Sequence, residues 1–177
     1  MKRNCIVFPV LFLLIYLLNS CSGPQEPQKF LAGGFTEGNA PGMALFEMDP
    51  SGQVKLLKQI DAGPSPAWFC FSQKHNLIYS MNEVPEFPGI KGRGITPLHY
   101  DPASGKTEKK GEIAVPHGGP CHISLSADSS FLFVASYSSS SVAVVKLDDR
   151  GIPERVTDTI LYGSEGGNVS HPHMISQ

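Results

Sequence analysis

The chain has 177 residues, with 14 Lys and Arg against 16 Asp and Glu and a formal net charge of -2. A mildly acidic chain without a basic cluster lacks the charge pattern of nucleic-acid-binding proteins, so no nucleic acid is expected as a partner. Cys70 and Cys121, the two cysteines beyond the N-terminal region, follow no metal-ligand spacing.

Residues 1–20 have the pattern of an export signal. Lys2 and Arg3 precede an apolar run over residues 5–18. As a helix this run would cover about 21 Å, short of the ~30 Å hydrocarbon core, so a permanent membrane span is not expected. The sequence LNSC ending at Cys21 resembles a bacterial lipobox, whose cysteine is acylated and becomes the first mature residue. An ordinary signal peptide followed by a chance cysteine is the alternative.

The Gln-, Pro- and Glu-containing stretch that follows reads as a tether. We therefore expect a lipoprotein signal peptide at residues 1–20, a tether at 21–28 and a folded domain at 29–177. The expected location is the bacterial cell envelope, on the periplasmic or outer-membrane side, with a lipid on Cys21 as the only membrane contact. In that compartment a disulfide between Cys70 and Cys121 is allowed, but two buried thiols are favoured.

The Gly-rich segment AGGFTEGNAPG at residues 32–42 has the composition of a phosphate-binding loop. It lacks the Gly-Lys-Ser/Thr ending and a following helix, so it is predicted to be a loop between strands. No cofactor is expected.

One motif recurs three times along the domain. SPAWFCFS at residues 65–72 aligns with GPCHISLS at residues 119–126, and HPHMISQ at residues 171–177 aligns with the second copy. The offsets between copies are 54 and 52 residues. FLAG at residues 30–33 likewise resembles LIYS at residues 77–80. Copies in the same order and nearly constant spacing indicate a repeated structural unit.

Each repeat consists of short runs typical of β-strands. FLFV at residues 131–134 and VAVVKL at residues 142–147 are rich in β-branched and aromatic residues and are bounded by Ser, Gly and Asp. No window of a dozen residues has a 3.6-residue apolar period, so almost no helix is expected. About four strands per repeat predict an all-β fold, a β-propeller of four-stranded blades. A two-sheet sandwich is the alternative, but it does not explain three copies of one motif.

Four motifs in order carry a family resemblance: YSMNE at residues 79–83, GPCHIS at 119–124, FVASYS at 133–138 and HPH at 171–173. Together they resemble the seven-bladed propeller lactonases, the family of bacterial 6-phosphogluconolactonase and the 3-carboxymuconate-cyclising enzymes. The resemblance implies a ring of seven blades, of which residues 29–177 would supply about three. The chain is therefore expected to be the N-terminal part of a longer lactonase, inactive as a fragment and monomeric when full length.

The repeat also places candidate site residues together. Trp68, His122 and His173 with its neighbour Met174 occupy equivalent strand starts, where inner strands of a propeller meet the central channel. Alternation along a strand puts His171 and His173 on one face. The resemblance implies hydrolysis of a lactone, with His173 as the candidate general base and His122 as a hydrogen-bond donor to the substrate.

Further residues are candidates for binding the substrate. Tyr137 and Asn82 are expected to hold hydroxyl groups, Glu83 to orient a water or cation, and His171 to shape the mouth of the site. The resemblance implies that an arginine for the substrate's anionic group lies in later blades.

Two alternatives remain open at this point. A His-x-His pair can bind zinc, but no third ligand follows in recognisable spacing, so no metal is expected. A non-catalytic envelope propeller that binds sugars or a protein partner is the second class of function. The histidines at positions 75 and 99 are expected to be structural. Because of the export signal, the expected substrate is a lactone other than a phosphorylated, cytoplasmic one.

Overall fold

The computed structural model describes residues 25–84, 93–101, 104–162 and 170–177. The predicted signal peptide and Cys21 lie outside these ranges. No helix occurs among the described residues, and none therefore could cross a membrane. The described strands are β1 Gln28–Ala32, β2 Met43–Met48, β3 Val54–Ile60, β4 Pro66–Ser72, β5 Leu77–Asn82, β6 Arg93–Asp101, β7 Lys106–Lys109, β8 Ile113–Val115, β9 Pro120–Leu125, β10 Phe131–Ser136, β11 Ser141–Leu147 and β12 Pro153–Leu161.

These strands form three antiparallel sheets in chain order. The first contains β1-β2-β3, the second β4-β5-β6 followed by β7 and β8, and the third β9-β10-β11-β12. In the second sheet β8 pairs with the start of β6 and β7 with its end, so the two short strands share the outer position. The prediction of an all-β chain of blade-like sheets is confirmed.

The first sheet has three strands rather than the predicted four. β1 pairs with β2 as β5 pairs with β6 and β10 with β11, which agrees with the sequence similarity between residues 30–33 and 77–80. β1 thus occupies the second position of a blade, and no other described strand pairs with its free edge. A cleft of about 270 Å³ lies between the end of β1 and the start of β4. β1 begins at Gln28, one residue before the predicted start of the domain.

Two apolar clusters hold the three sheets face to face. Ile78 of β5 packs with residues of the first sheet, whereas Tyr79 and Met81 of the same strand pack with the third. Both faces of β5 are therefore covered, and all six of its residues are buried. Fully burying each large apolar side chain contributes about 1.5–3 kcal/mol to stability.

Hydrogen bonds also join the second sheet to two turns of the third sheet, the β9–β10 turn and the β11–β12 turn. The Tyr79 hydroxyl donates to the carbonyl oxygen of Gly151 at 2.8 Å, and His75 Nε2 lies 3.2 Å from the carbonyl oxygen of Ser129. Gly151 has φ +82°, and a Cβ there would lie 2.7 Å from the Tyr79 oxygen, so only glycine fits. His99 contacts the Asn76 amide at 3.1 Å. These contacts agree with structural roles for both histidines.

Residues 170–177 run along β9 but are not a strand, in contrast to the prediction that a strand opens here. Among the described residues no strand pairs with this segment, so it lacks the ladder that defines a strand. Hydrogen bonds that involve side chains hold the segment instead. The backbone N–H of Ile175 donates to His122 Nδ1 at 3.4 Å, and the Gln177 side-chain oxygen accepts from the N–H of Ala127 at 2.7 Å.

Cys70 and Cys121 are free thiols, which confirms that part of the prediction. Both are half-buried rather than fully buried. Burial raises the pKa of Cys70 to about 12, so this thiol stays protonated and unreactive.

Candidate functional site

A β-bulge lies at the same position in both complete inner strands. The pairing of β4 with β5 skips Ala67, and the pairing of β9 with β10 skips Cys121. These residues are 54 positions apart, as the repeat requires. A bulge bends its strand and changes the direction of neighbouring side chains. It immediately precedes Trp68 in β4 and His122 in β9, the two residues that the repeat placed at strand starts.

A second feature recurs just before each inner strand. Ser65 and Gly119 have φ of 44° and 81°, a left-handed conformation. Their carbonyl oxygens accept hydrogen bonds from the N–H groups of Glu83 at 2.9 Å and Tyr137 at 2.7 Å. Glu83 and Tyr137 are also 54 residues apart, so they occupy one equivalent position next to the bulges. The backbone therefore presents two different side chains at the same place in successive repeats.

Trp68 and His122 are in contact across the junction of the second and third sheets. Their ring centroids are 4.7 Å apart with an angle of 40° between planes, and Trp68 remains 45% exposed. Partial burial lowers the pKa of His122, and the nearby charge of His173 lowers it further. His122 is therefore neutral at pH 7. The contact between Trp68 and His122 agrees with the predicted convergence of these two strand starts, and His173 lies near enough to affect the charge of His122.

The hydrogen bond to His122 identifies its tautomer. Nδ1 accepts the N–H of Ile175, so in the neutral ring the proton is on Nε2. No hydrogen bond to a described residue engages that Nε2–H, which is thus a donor available to a ligand. The sequence predicts that His122 donates a hydrogen bond to the substrate, and this tautomer is compatible with that prediction.

Tyr137 contacts both histidines of the terminal segment. Its ring stacks on His171 at 4.4 Å and 17°, and His173 meets it edge-on at 5.6 Å and 84°. His171 Nδ1 also lies 2.9 Å from the carbonyl oxygen of Tyr137. All three side chains are exposed to solvent. We call Trp68, His122, Tyr137, His171 and His173 the imidazole–aromatic cluster.

The Cys121 thiol contacts the backbone of the terminal segment that carries two histidines of this cluster. Its Sγ lies 3.5 Å from the carbonyl oxygens of Ala135 and Pro172 and 3.6 Å from that of His173. Burial raises the pKa of the Cys121 thiol, and the Glu83 carboxylate adds to the rise, so the thiol is neutral rather than nucleophilic. This contact of Cys121 was not predicted from the sequence.

Asn82 does not have the environment expected of a substrate-binding residue. It is fully buried, and its amide N–H groups donate to the carbonyl oxygens of Ala62 and Pro64, both at 2.9 Å. Its side-chain oxygen accepts from the Thr96 hydroxyl at 2.8 Å. No N–H group is left for a ligand, which contradicts the expectation that Asn82 holds a substrate hydroxyl.

The other candidates lie where a ligand could reach them. Glu83 is half-buried beside Cys121, and Tyr137 is 45% exposed. Within the described part of the chain, no group of three His, Cys, Asp or Glu side chains is arranged to hold a metal ion. The site therefore offers imidazoles, one phenol, one carboxylate and two aromatic faces.

Comparison with known proteins bears on the fold and the family of the chain. Residues 29–177 match the family described as "Lactonase, 7-bladed beta-propeller". A 6-phosphogluconolactonase of Cronobacter sakazakii is 34% identical over 122 residues, covering 69% of this chain and 34% of that protein. One of Klebsiella pneumoniae is 32% identical over 122 residues, with the same two shares of 69% and 34%.

Solved structures show the same architecture. The periplasmic gluconolactonase of Pseudomonas aeruginosa matches with a TM-score of 0.65 at 26% identity, covering 76% of this chain and 39% of that one. A protein from Lactobacillus plantarum gives a TM-score of 0.65 at 18% identity, with 77% and 38% coverage, and supports the fold alone. The chain spans about a third of the length of the curated relatives it matches. With a match over residues 29–177, the chain belongs to the seven-bladed β-propeller lactonase family.

Proposed function

We propose that the complete protein is a lactonase that opens a sugar-acid lactone by addition of water. The observation that carries the proposal is the convergence of three imidazoles and two half-exposed aromatic rings where two inner strands begin. Lactone hydrolysis requires a group that takes a proton from water and a donor to the carbonyl oxygen. Histidine residues can supply both functions near neutral pH.

In this mechanism His122 Nε2–H donates to the lactone carbonyl oxygen. Negative charge develops on that oxygen when water attacks, and a donor that is already in place stabilises it. A histidine of the terminal segment accepts the proton of the attacking water, and the family resemblance makes His173 the first candidate for that role. The parts of the Trp68 and Tyr137 rings that His122 and His171 leave exposed pack against the apolar face of the sugar ring. Collapse of the intermediate breaks the ring C–O bond, and the proton passes to the departing alkoxide.

The substrate that we propose is unphosphorylated. The predicted export signal would separate the protein from cytoplasmic phosphorylated lactones, and one structural relative is a periplasmic gluconolactonase. The complete protein is expected to show at least about a tenfold higher kcat/KM for unphosphorylated sugar-acid lactones than for 6-phosphogluconolactone, a difference of about 1.4 kcal/mol in barrier. Parallel assays of both compounds test this, and a preference for the phosphorylated compound would contradict it.

We also propose that Cys21 is lipidated. The Cys21→Ala protein is expected to leave the membrane fraction or to accumulate as unprocessed precursor, because the acylated residue and its cleavage signal are lost. Fractionation and N-terminal mass analysis measure both outcomes. Cys5→Ala is the matched control, since that cysteine lies within the apolar run of the signal. Identical fractionation and cleavage of the Cys21→Ala and native proteins would instead indicate an ordinary signal peptide.

The alternative is an envelope propeller that binds sugars without chemistry. The same half-exposed Trp68 and Tyr137 rings would suit a non-catalytic sugar site. The two functions differ in turnover. Binding of sugars by the complete protein, without hydrolysis of any lactone in the panel, would favour the binding protein.

A further inference from the structure

The hydrogen bond made by His171 determines which of its nitrogen atoms is free. Nδ1 lies 2.9 Å from the backbone carbonyl oxygen of Tyr137, and a carbonyl oxygen can only accept. The proton of the neutral ring is therefore on Nδ1. Its other nitrogen, Nε2, carries an unshared electron pair, and no described residue donates a hydrogen bond to it.

The ring of His171 is also held in a fixed orientation. It stacks on the Tyr137 ring at 4.4 Å with planes only 17° apart, while Nδ1 is bound to the backbone of the same residue. His173 meets the same ring only edge-on at 5.6 Å. No hydrogen bond to a described residue holds the imidazole of His173. A general base must direct its electron pair at one water molecule, which favours the restrained ring.

His122 has the opposite arrangement. Its Nδ1 accepts from the N–H of Ile175, which leaves Nε2–H as the free group. One imidazole of the cluster thus offers an acceptor and another offers a donor, and each is fixed by a backbone hydrogen bond. Such a pair fits the two simultaneous needs of ester hydrolysis.

We propose that His171, rather than His173, is the general base of the lactonase described above, an assignment that rests on that proposed function. Water oxygen bonds to the carbonyl carbon while its proton moves to His171 Nε2, and the carbonyl electron pair moves to the oxygen bound by His122. When the ring C–O bond breaks, His171 returns the proton to the departing oxygen. The Tyr137 carbonyl, already bonded to Nδ1–H, stabilises the transient imidazolium.

The first experiment reads the tautomers directly and needs no substrate. Long-range ¹H–¹⁵N correlation spectra of the ¹⁵N-labelled complete protein distinguish protonated from unprotonated ring nitrogens, with His171→Asn and His122→Gln used to assign the signals. We expect Nδ1–H for His171 and Nε2–H for His122 when the two rings are neutral. An Nε2–H tautomer for His171 would overturn the proposal whatever the protein's activity.

The second experiment measures the proton transfer. His171→Ala is expected to lower kcat about 10²- to 10⁴-fold, the usual contribution of a general base, and added imidazole should restore part of it. His173→Ala should lose less than about tenfold and should not respond to imidazole. The reverse pattern would assign the base to His173.

A matched variant separates the chemical role from a structural one. In His171→Asn the side-chain amide can still donate to the Tyr137 carbonyl, but it cannot act as a base near neutral pH. It should therefore be as slow as His171→Ala while melting close to the native protein. Near-native turnover by His171→Asn would show that only the hydrogen bond matters and would overturn the assignment. If the native protein opens no lactone, the proposed function and the base role fail together, and the tautomer measurement still stands.

Discussion

Replacing His122 by leucine is expected to lower kcat of the complete protein about 10²- to 10³-fold, the usual cost of removing one donor to a developing oxyanion. The physical reason is the tautomer of the His122 ring, in which Nε2 carries the proton. Nδ1 of His122 accepts the N–H of Ile175, and its Nε2–H makes no hydrogen bond to a described residue, so it can donate to a ligand. Leucine has a similar size and keeps contact with Trp68, so the melting temperature should change little.

The glutamine variant is the control for this prediction. The side-chain amide of His122→Gln can place an N–H near the position of Nε2, so it should retain most of the activity that leucine loses. If both variants lose activity equally, His122 transfers a proton rather than donating a static hydrogen bond. If neither loses activity, the lactone carbonyl binds elsewhere.

Asn82→Ala is expected to destabilise the protein by about 2–4 kcal/mol, because several buried polar groups lose their partner at once. The carbonyl oxygens of Ala62 and Pro64 lose their donors, and the Thr96 hydroxyl loses its acceptor. The melting temperature should fall clearly, whereas KM measured well below it should stay close to the native value.

Thr96→Val provides a graded comparison. It removes only the hydroxyl bond to Asn82 and should cost about 1 kcal/mol, less than the loss of the whole amide. The site prediction made from the sequence would give a different result. An Asn82→Ala protein that melts like the native one but binds its lactone poorly would restore Asn82 as a substrate ligand.

The repeat made much of the fold and part of the site predictable. An offset of 54 residues correctly paired Trp68 with His122, because repeated blades place equivalent residues at equivalent strand starts. The bulges at Ala67 and Cys121 were not predictable in this way. The two motif copies have equal length, so a register shift that occurs in both leaves no gap in their alignment.

The roles of Asn82 and Glu83 show a second limit of predicting the site from the sequence. They are neighbours in the motif YSMNE, and the sequence analysis predicted a binding role for both. Asn82 is the last residue of β5 and its amide is buried, whereas Glu83 lies just beyond the strand and its carboxylate is half-buried, so the two have different surroundings. The hydrogen bond between His171 Nδ1 and the backbone carbonyl of Tyr137 could not be predicted either, because every residue has a backbone carbonyl and the sequence does not show which one is used.

The turn that precedes each inner strand holds a neighbouring residue by its backbone and leaves the side chain of that residue free to vary. The positions of Glu83 and Tyr137 are secured through their main-chain N–H groups, which any residue except proline can supply. Their side chains contribute nothing to that anchor. An acid in one repeat and a phenol in the next can therefore be exchanged one at a time, and the binding preferences of the channel mouth can diverge between relatives while the ring that carries them stays the same.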